Sequence, residues 1–157
     1  MTAYDRAEIL RGIKTYHKPG DVFEIRVPKA GRFKTISGYF DNFNAAADAV
    51  VGLDDEQFAG VYFTINPVNP ALLSRSANRT KRYAETTTSD EGIVRLNWLP
   101  IDLDAKRPVG ISSTDIEHLA AIKLGKRIKT SLVKSKVGQQ ERSSSLIRVT
   151  VAICVPR

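Results

Sequence analysis

The stretch that decides the fold is Val22-Phe23-Glu24-Ile25-Arg26-Val27, together with the segment 33–40 that follows it. Apolar residues alternate in the first stretch with the charged residues Glu24 and Arg26, which is the period of a β-strand that packs one face on a core. Segment 33–40 continues the pattern, and Ala30-Gly31 between the two is typical of a turn. The pair therefore predicts a β-hairpin.

Helices are predicted on both sides of this hairpin. Residues 3–16 carry apolar side chains at helical spacing, and the run His17-Lys18-Pro19-Gly20 ends that pattern. After the hairpin, Asp41 or Asn42 can cap an alanine-rich helix over 43–51, whose small side chains allow close packing on a sheet.

The middle of the chain predicts a strand and then a loop. Residues 61–65 are β-branched and aromatic, which predicts a buried strand. The prolines of 66–70 end it, because proline lacks the N–H that a strand or helix interior needs. A short helix is predicted over 71–77, and the polar run 76–90 predicts a mobile loop.

The next segment, 93–104, predicts an apolar strand that ends in acids. Ser112, Ser113 or Thr114 then caps a helix that reaches Leu132. Strands that alternate with helices predict an α/β or α+β fold, in which helices pack on a sheet.

Length and composition favour one globular unit. The chain has 157 residues, of which 42% are hydrophobic and 26% charged, enough for a core and without the composition of a disordered chain. Cys154 is the single cysteine, which excludes an internal disulfide. No long apolar run or signal-peptide pattern is present, so we expect a cytoplasmic protein and no membrane partner.

The net charge of +7 favours an anionic partner, of which nucleic acid is the commonest. The last 25 residues alone contribute +4, so residues 1–132 are only mildly basic at +3. Within that part, four cations fall within eight residues at the start of the predicted loop and just before it: Arg75, Arg79, Lys81 and Arg82. They could contact phosphates, or they could form a solvated loop face.

Two acids at the end of segment 93–104 suggest a metal site. Asp102 and Asp104 are one residue apart, so on a strand their side chains share a face and could hold Mg²⁺ or Mn²⁺. The alternative is a strand that ends in solvated acids. Lys106 and Arg107 follow, and they could contact a triphosphate or pair with the acids and leave no metal site.

Several enzyme classes are excluded by missing motifs. His17 and His118 are the only histidines and have no second ligand at metal-binding spacing, so a surface or packing role is expected for both. The chain contains no Ser/His/Asp arrangement, no Gly-Lys-Ser/Thr phosphate loop and no Gly-x-Gly-x-x-Gly fingerprint. A hydrolase triad and a P-loop ATPase are therefore set aside.

Beyond these patterns, residues 5–132 resemble in order the N-terminal primase-polymerase domain of archaeo-eukaryotic-primase-type replication proteins. Such domains occur in bacterial, plasmid and phage primase-helicases. The Asn-Pro-Val-Asn-Pro run is far more specific than the Asp-x-Asp pair. The segments that carry the resemblance are Ser37–Asp41, Val61–Leu73, Thr87–Asp90, Trp98–Asp104, Arg107–Ser112 and Glu117-His118.

The resemblance implies an RRM-like α/β core and a DNA primase or polymerase that uses two divalent metals, Mg²⁺ or Mn²⁺. Asp102 and Asp104 match the family's first motif, as metal ligands. The implied partners are a DNA template, nucleoside triphosphates and a helicase domain further along the chain. The family's second motif, a glycine-rich turn with a nucleotide-contacting histidine, and its third motif, another acid, have no counterpart here. We therefore expect an incomplete sheet and no synthesis by this chain alone.

The residues after Leu132 differ from the family, and a change of reading frame explains the difference. One set of synonymous codons for Leu146–Pro156, read from its third base, encodes Asp-Ser-Gly-Asn-Gly-Gly-His-Leu-Cys-Thr, which has the form of the missing second motif. Codons for 136–139 yield Gly-Trp-Pro in the same frame. We therefore predict a partial primase-polymerase domain over 1–132 and a frameshifted tail over 133–157. The alternatives are a non-catalytic nucleic-acid-binding module and a gene remnant without function.

Overall fold

The computed structural model of the chain describes residues 4–53, 58, 60–101, 103, 111, 112 and 114–137, with side chains as far as Leu132. It divides into two compact units, Met1–Leu96 and Asn97–Arg157, rather than the single unit expected from length. The described helices and antiparallel strands make the chain an α+β protein. In chain order these elements are α1 (Arg6–Tyr16), β1 (Phe23–Val27), β2 (Ile36–Phe40), α2 (Phe43–Val51), β3 (Tyr62–Phe63) and α3 (Asp115–Val137), with 3₁₀ turns at Gly31–Phe33, Pro70–Arg75 and Asp90–Gly92.

The predicted hairpin is confirmed and forms the centre of the first unit. In the described sheet, β1 lies between β2 and β3 and is antiparallel to both. The β1–β2 register runs from the pair Phe23 and Phe40 to the pair Val27 and Ile36. Because alternate residues share a face, this register leaves Glu24 on the face opposite Phe23.

Helices α1 and α2 cover one face of this sheet. Helix α2 begins where the sequence predicts, because the amide oxygen of Asn42 accepts from two N–H groups at its start. Helix α1 begins at Arg6 rather than at residue 3, because the carboxylate of Asp5 caps it in the same way. Helix α1 ends at His17, as predicted. The core between helices and sheet consists of Ile13, Phe23, Ile25, Phe40, Ala46 and Val50.

An irregular layer covers the other face of the sheet. Val68 is fully buried, and its N–H donates to the carbonyl of Val22 at 2.8 Å. It packs with Val22 and Tyr39, and the side chains of Leu72 and Ile93 lie against this cluster. The sheet is therefore enclosed between a helical layer and a layer without regular structure.

The predicted buried strand over 61–65 is wrong in length and in burial. Only Tyr62–Phe63 pair with β1, and Tyr62 is 58% exposed. Beyond Phe63, the N–H of Thr64 still donates to the carbonyl of Glu24 at 3.0 Å. The strand then ends because Asn66-Pro67 follows, and proline has no N–H to donate to a ladder.

The predicted mobile loop over 76–90 is instead hydrogen-bonded along the outer edge of β2. Ser37 and Lys81 exchange two backbone hydrogen bonds, at 3.0 and 2.7 Å, and the N–H of Tyr39 donates to the carbonyl of Ser76 at 3.0 Å. The prediction was wrong because it rested on the polar composition of this run. The backbone of the run instead satisfies the hydrogen bonds that the exposed edge of β2 would otherwise leave open.

The predicted strand over 93–104 is not formed in its described part, residues 93–101 and 103. Ile93 forms an isolated bridge with Val68 and Trp98 is a second single bridge residue, but no continuous strand is assigned among the described residues of this segment. Val94 and Leu96 are 47% and 60% exposed, so the apolar pattern does not mark a buried strand. Pro100 adds a position that cannot donate to a ladder.

In the second unit, α3 begins as predicted. Thr114 Oγ1 accepts from the N–H of Glu117, and the Glu117 carboxylate accepts from the N–H of Thr114, which is a reciprocal helix cap. The helix continues to Val137, five residues past Leu132, and the domain boundary placed at Leu132 stays a prediction. The predicted apolar face of α3 is largely exposed, with Ile116 at 81% and Leu119 at 64%.

Among the described helices, none combines the length and the apolar composition that crossing a bilayer requires.

The close approach of β2 and the following segment gives a testable result at Gly38. A Cβ built there would lie 2.2 Å from the backbone carbonyl oxygen of Arg79. We expect Gly38→Ala to lower the free energy of unfolding by about 1–3 kcal/mol, because backbone must move to admit the methyl group. Urea unfolding followed by circular dichroism measures the change.

Gly12→Ala is the matched control, since a Cβ at Gly12 in α1 meets nothing within 4 Å. There alanine should be neutral or stabilise the helix by about 0.5–1 kcal/mol. Equal stability of the Gly38→Ala variant and the unmodified chain would contradict the observed backbone contact.

Candidate functional site

The predicted metal site stays a prediction. Asp102, Asp104, Lys106 and Arg107 all lie outside the described residues. In the part of the chain that the structure describes, no group of three or more His, Cys, Asp and Glu side chains is arranged to hold a metal ion.

The described structure instead centres on a buried carboxylate. The side chain of Glu24 is fully buried in β1. Its Oε1 accepts from Arg26 Nε at 3.0 Å and from Ser37 Oγ at 2.6 Å. Its Oε2 accepts from Arg26 Nη2 at 2.6 Å and from the N–H of Thr88 at 2.9 Å. Four hydrogen bonds therefore satisfy both oxygens, as a buried charge requires.

These contacts keep Glu24 ionised. Burial by itself raises the pKa of a carboxyl because it disfavours the charged form, but the hydrogen bonds from Arg26, Ser37 and Thr88 outweigh it, and the pKa of Glu24 lies below its usual value. The same contact with Glu24 raises the pKa of Arg26. The pair is thus a charged, hydrogen-bonded unit with one fully buried member.

The network extends from Glu24 across the irregular layer. Arg26 Nη2 also donates to the carbonyl of Thr88 at 3.0 Å. The backbone N–H of Thr88 is therefore bonded to Glu24 and its carbonyl to Arg26. The hydroxyl of Thr88 lies 3.5 Å from that of Tyr39, and Arg75 Nη1 donates to the Tyr39 hydroxyl at 3.3 Å. Residues from β1, β2, the Pro70–Arg75 turn and the segment around Thr88 are joined in this way.

A second polar cluster lies at the start of β1. Buried Asp21 forms an ion pair with Arg95 and accepts from the N–H of Lys18 at 2.9 Å. His17 is buried, stacks on Phe23 with ring centroids 4.5 Å apart, and donates Nε2–H to a backbone carbonyl. Burial lowers the pKa of His17, which favours the neutral ring. His17 therefore has the packing role expected for it.

The two described cations that were predicted to bind phosphate, Arg75 and Arg79, have different surroundings. Arg75 is directed to Tyr39, on the sheet face that carries Glu24. Arg79 lines a cleft of about 670 Å³ beside α2, the helix that covers the opposite face. The remaining predicted phosphate contacts, Lys106 and Arg107, fall outside the described residues.

The sequence reasoning missed the role of Glu24 and Arg26. The alternation predicts that they lie on the strand face opposite Phe23, and it assigns them no role. The available signal was their spacing: opposite charges two residues apart on a strand lie on the same face and can pair. Because every acceptor position of Glu24 is occupied, the carboxylate acts as a structural brace rather than as a base or a metal ligand.

The fold and this network define a small α+β unit braced by a buried ion pair. Comparison of the chain with protein-family models, with curated proteins and with solved structures found no match.

The brace predicts a specific stability change at Glu24. We expect Glu24→Gln to lower the free energy of unfolding at pH 7 by about 2–3 kcal/mol, because it leaves the Arg26 guanidinium without its counter-charge. Glu8→Gln is the matched control on the exposed surface of α1, and its ion pair with Arg11 should contribute less than about 1 kcal/mol. Urea unfolding of the three proteins compares them.

The same variant has a predicted pH dependence. The pKa of Glu24 is lower in the folded chain than in the unfolded one, so its stabilisation is complete above the unfolded pKa and is lost as pH falls through the folded pKa. The stability difference between the unmodified chain and Glu24→Gln should therefore shrink in acid. A difference that stays constant from neutral pH to acid would contradict an ionised Glu24.

Proposed function

We propose that residues 5–132 are the N-terminal part of a DNA primase-polymerase domain that acts in DNA replication. The observation that carries the proposal is the convergence of three segments that resemble that family. Ser37–Asp41, Val61–Leu73 and Thr87–Asp90 are far apart in the sequence, yet residues of all three meet on the sheet face that carries Glu24.

The proposal is also supported by the contacts of the Asn-Pro-Val-Asn-Pro run, residues 66–70, which is the most specific part of the resemblance. In the Asn-Pro-Val-Asn-Pro run, the three residues Asn66 to Val68 are buried, and the carbonyl of Pro67 accepts from Val94 at 3.1 Å. Asn69 caps the following 3₁₀ turn and donates its N–H to the carbonyl of Gly92 at 2.7 Å. The run therefore connects the sheet to the segment that leads toward Trp98 and the two acids.

In the proposed reaction, Asp102 and Asp104 would each supply a carboxylate to Mg²⁺ or Mn²⁺, ions that prefer oxygen ligands. Such metals, when bound, neutralise charge on the attacking and leaving oxygens of a nucleotidyl transfer. Lys106 and Arg107 would hold the triphosphate. The RRM-like arrangement, the DNA template, the nucleoside triphosphates and a following helicase domain are parts of the same proposal.

The proposal includes an incomplete catalytic set. Two carboxylates alone leave a two-metal site short of ligands, and no glycine-rich turn with a histidine is present to orient the nucleotide. We therefore assign primer synthesis to a longer form of the chain, in which residues 133–157 are replaced by the product of the alternative reading frame.

The test compares this chain with a repaired one. The coding DNA is sequenced, and one nucleotide is added or removed near the codons for 131–134 so that the alternative frame is translated. With a single-stranded template, nucleotides and Mn²⁺, we expect no primers from the present chain and synthesis from the repaired chain. Asp102→Ala in the repaired chain should abolish that synthesis.

Two outcomes would contradict the proposal. One is an alternative frame that does not encode Gly-Trp-Pro followed by Ser-Gly-Asn-Gly. The other is Asp102-dependent synthesis by the present chain, which would show that the catalytic set is complete. A present chain without cooperative unfolding by circular dichroism would favour the gene-remnant alternative.

A further inference from the structure

A basic surface lies at the turn of the hairpin, away from the two acids of the proposed reaction in sequence. It consists of residues 28–35, which form the turn, and residues 79–84, which lie beside them. The N–H of Tyr83 donates to the carbonyl of Phe33 at 3.2 Å, and that of Ala84 to the carbonyl of Thr35 at 2.9 Å. These backbone bonds fix the two segments side by side.

The charge of this surface is unusually one-sided. Its 14 residues contain six cations and no acid, whereas the whole chain carries a net charge of only +7. All six cations are exposed. Six of the 24 lysines and arginines of the chain therefore lie in 14 residues, where a polyanion would meet no carboxylate within the two segments. The cations are Lys29, Arg32, Lys34, Arg79, Lys81 and Arg82.

An aromatic support holds part of the surface in place. The guanidinium carbons of Arg32 and Arg82 lie 4.6 and 4.1 Å from the ring centroid of buried Phe33. The ring of Tyr83 meets Phe33 edge to face at 5.8 Å and is 54% exposed. The surface therefore presents positioned guanidinium groups next to an accessible aromatic ring.

Several residues of the surface have a strained backbone conformation with positive φ. Lys29, Lys34 and Tyr83 have φ values of 51°, 58° and 57°, and Asn78 just before the second segment has 50°. These four are the non-glycine residues with positive φ in the described chain. Glycine would adopt this conformation at lower cost, so three of these positions carry a strained residue that presents a cation or an aromatic ring.

We propose that the basic surface binds single-stranded nucleic acid, with the cations on successive phosphates and a base stacked on Tyr83. An exposed aromatic ring beside arginines and lysines is the combination that binds single strands. A duplex would offer no free base to Tyr83. An acidic membrane would need more apolar side chains to insert, and Tyr83 is the only large exposed apolar side chain within the described surface.

This inference does not depend on the primase-polymerase proposal, because it uses neither Asp102 nor Asp104. Failure of primer synthesis by a repaired chain would therefore leave the binding result intact, and failure of binding would leave the synthesis result intact.

The experiment is fluorescence anisotropy of the full chain with a labelled oligothymidylate of about 20 nucleotides, a length that spans a typical single-strand site. Salt is varied from roughly 50 to 200 mM. If all six cations contact phosphates, the logarithm of the binding constant should fall with the logarithm of salt with a slope of about −4.

The charge variant is Lys29→Gln with Lys34→Gln. It should weaken binding about 10- to 30-fold at 0.1 M salt and reduce the slope by about 1.4, because two phosphate contacts are lost. The matched control is Lys14→Gln with Lys18→Gln, which removes the same charge from exposed positions outside the surface. The control should change binding less than about threefold.

The aromatic variant is Tyr83→Asn, since asparagine tolerates positive φ better than most residues. It should weaken binding about fivefold or more with little change in the salt slope, because stacking is lost and phosphate contacts are kept. Circular dichroism and urea unfolding confirm that each variant is folded.

Four results would overturn the proposal: no binding by the folded chain, equal losses in the Lys14/Lys18 control and the Lys29/Lys34 variant, tighter binding to a duplex of the same length, or an unchanged affinity in Tyr83→Asn. Binding to vesicles of anionic lipid that outcompetes the oligonucleotide would instead assign the surface to membranes.

Discussion

The buried charge of Glu24 is the constraint on which the rest of the first unit depends. A carboxylate taken out of water is costly unless its oxygens are matched by donors, and here the donors come from three different parts of the chain. Arg26 is on the same strand, Ser37 is on the partner strand β2, and Thr88 belongs to a distant segment. One charged group therefore links the strand pairing to the course of the irregular layer, on the sheet face opposite helices α1 and α2.

The two sheet faces are stabilised by different physics, and this explains what the sequence could predict. Helices α1 and α2 and the β1–β2 hairpin follow from local signals, namely caps, helical periodicity and strand alternation, and they form where those signals place them. The layer over Glu24 follows from long-range hydrogen bonds that no local pattern encodes. For that reason the segment 76–90 was predicted as a mobile loop, although its backbone pairs with β2. The segment 93–104 was predicted as a strand, although no continuous strand is assigned in its described part.

Some of the candidate functional residues could be identified from local sequence, whereas others are brought together only by the fold. The acid pair Asp102 and Asp104 could be identified from its spacing and from the family that the surrounding segments resemble, and its role is a proposal. Arg75 and Arg79 were grouped by sequence proximity, but the edge segment turns between them, so one joins the Tyr39 hydroxyl and the other lies beside α2. The basic surface could not be predicted from composition alone, because its two segments are more than 40 residues apart and meet only when 79–84 pairs beside the hairpin turn.

The central claim is that Glu24 is ionised while fully buried, and the most direct test is an NMR titration of its side-chain carboxyl carbon. The account predicts that the Glu24 resonance titrates below the usual range of a glutamate, because hydrogen bonds from Arg26, Ser37 and Thr88 outweigh burial and favour the charged form. A Glu24 midpoint above the usual range of a glutamate would mean that burial dominates and that the neutral carboxyl is favoured, which would contradict the account.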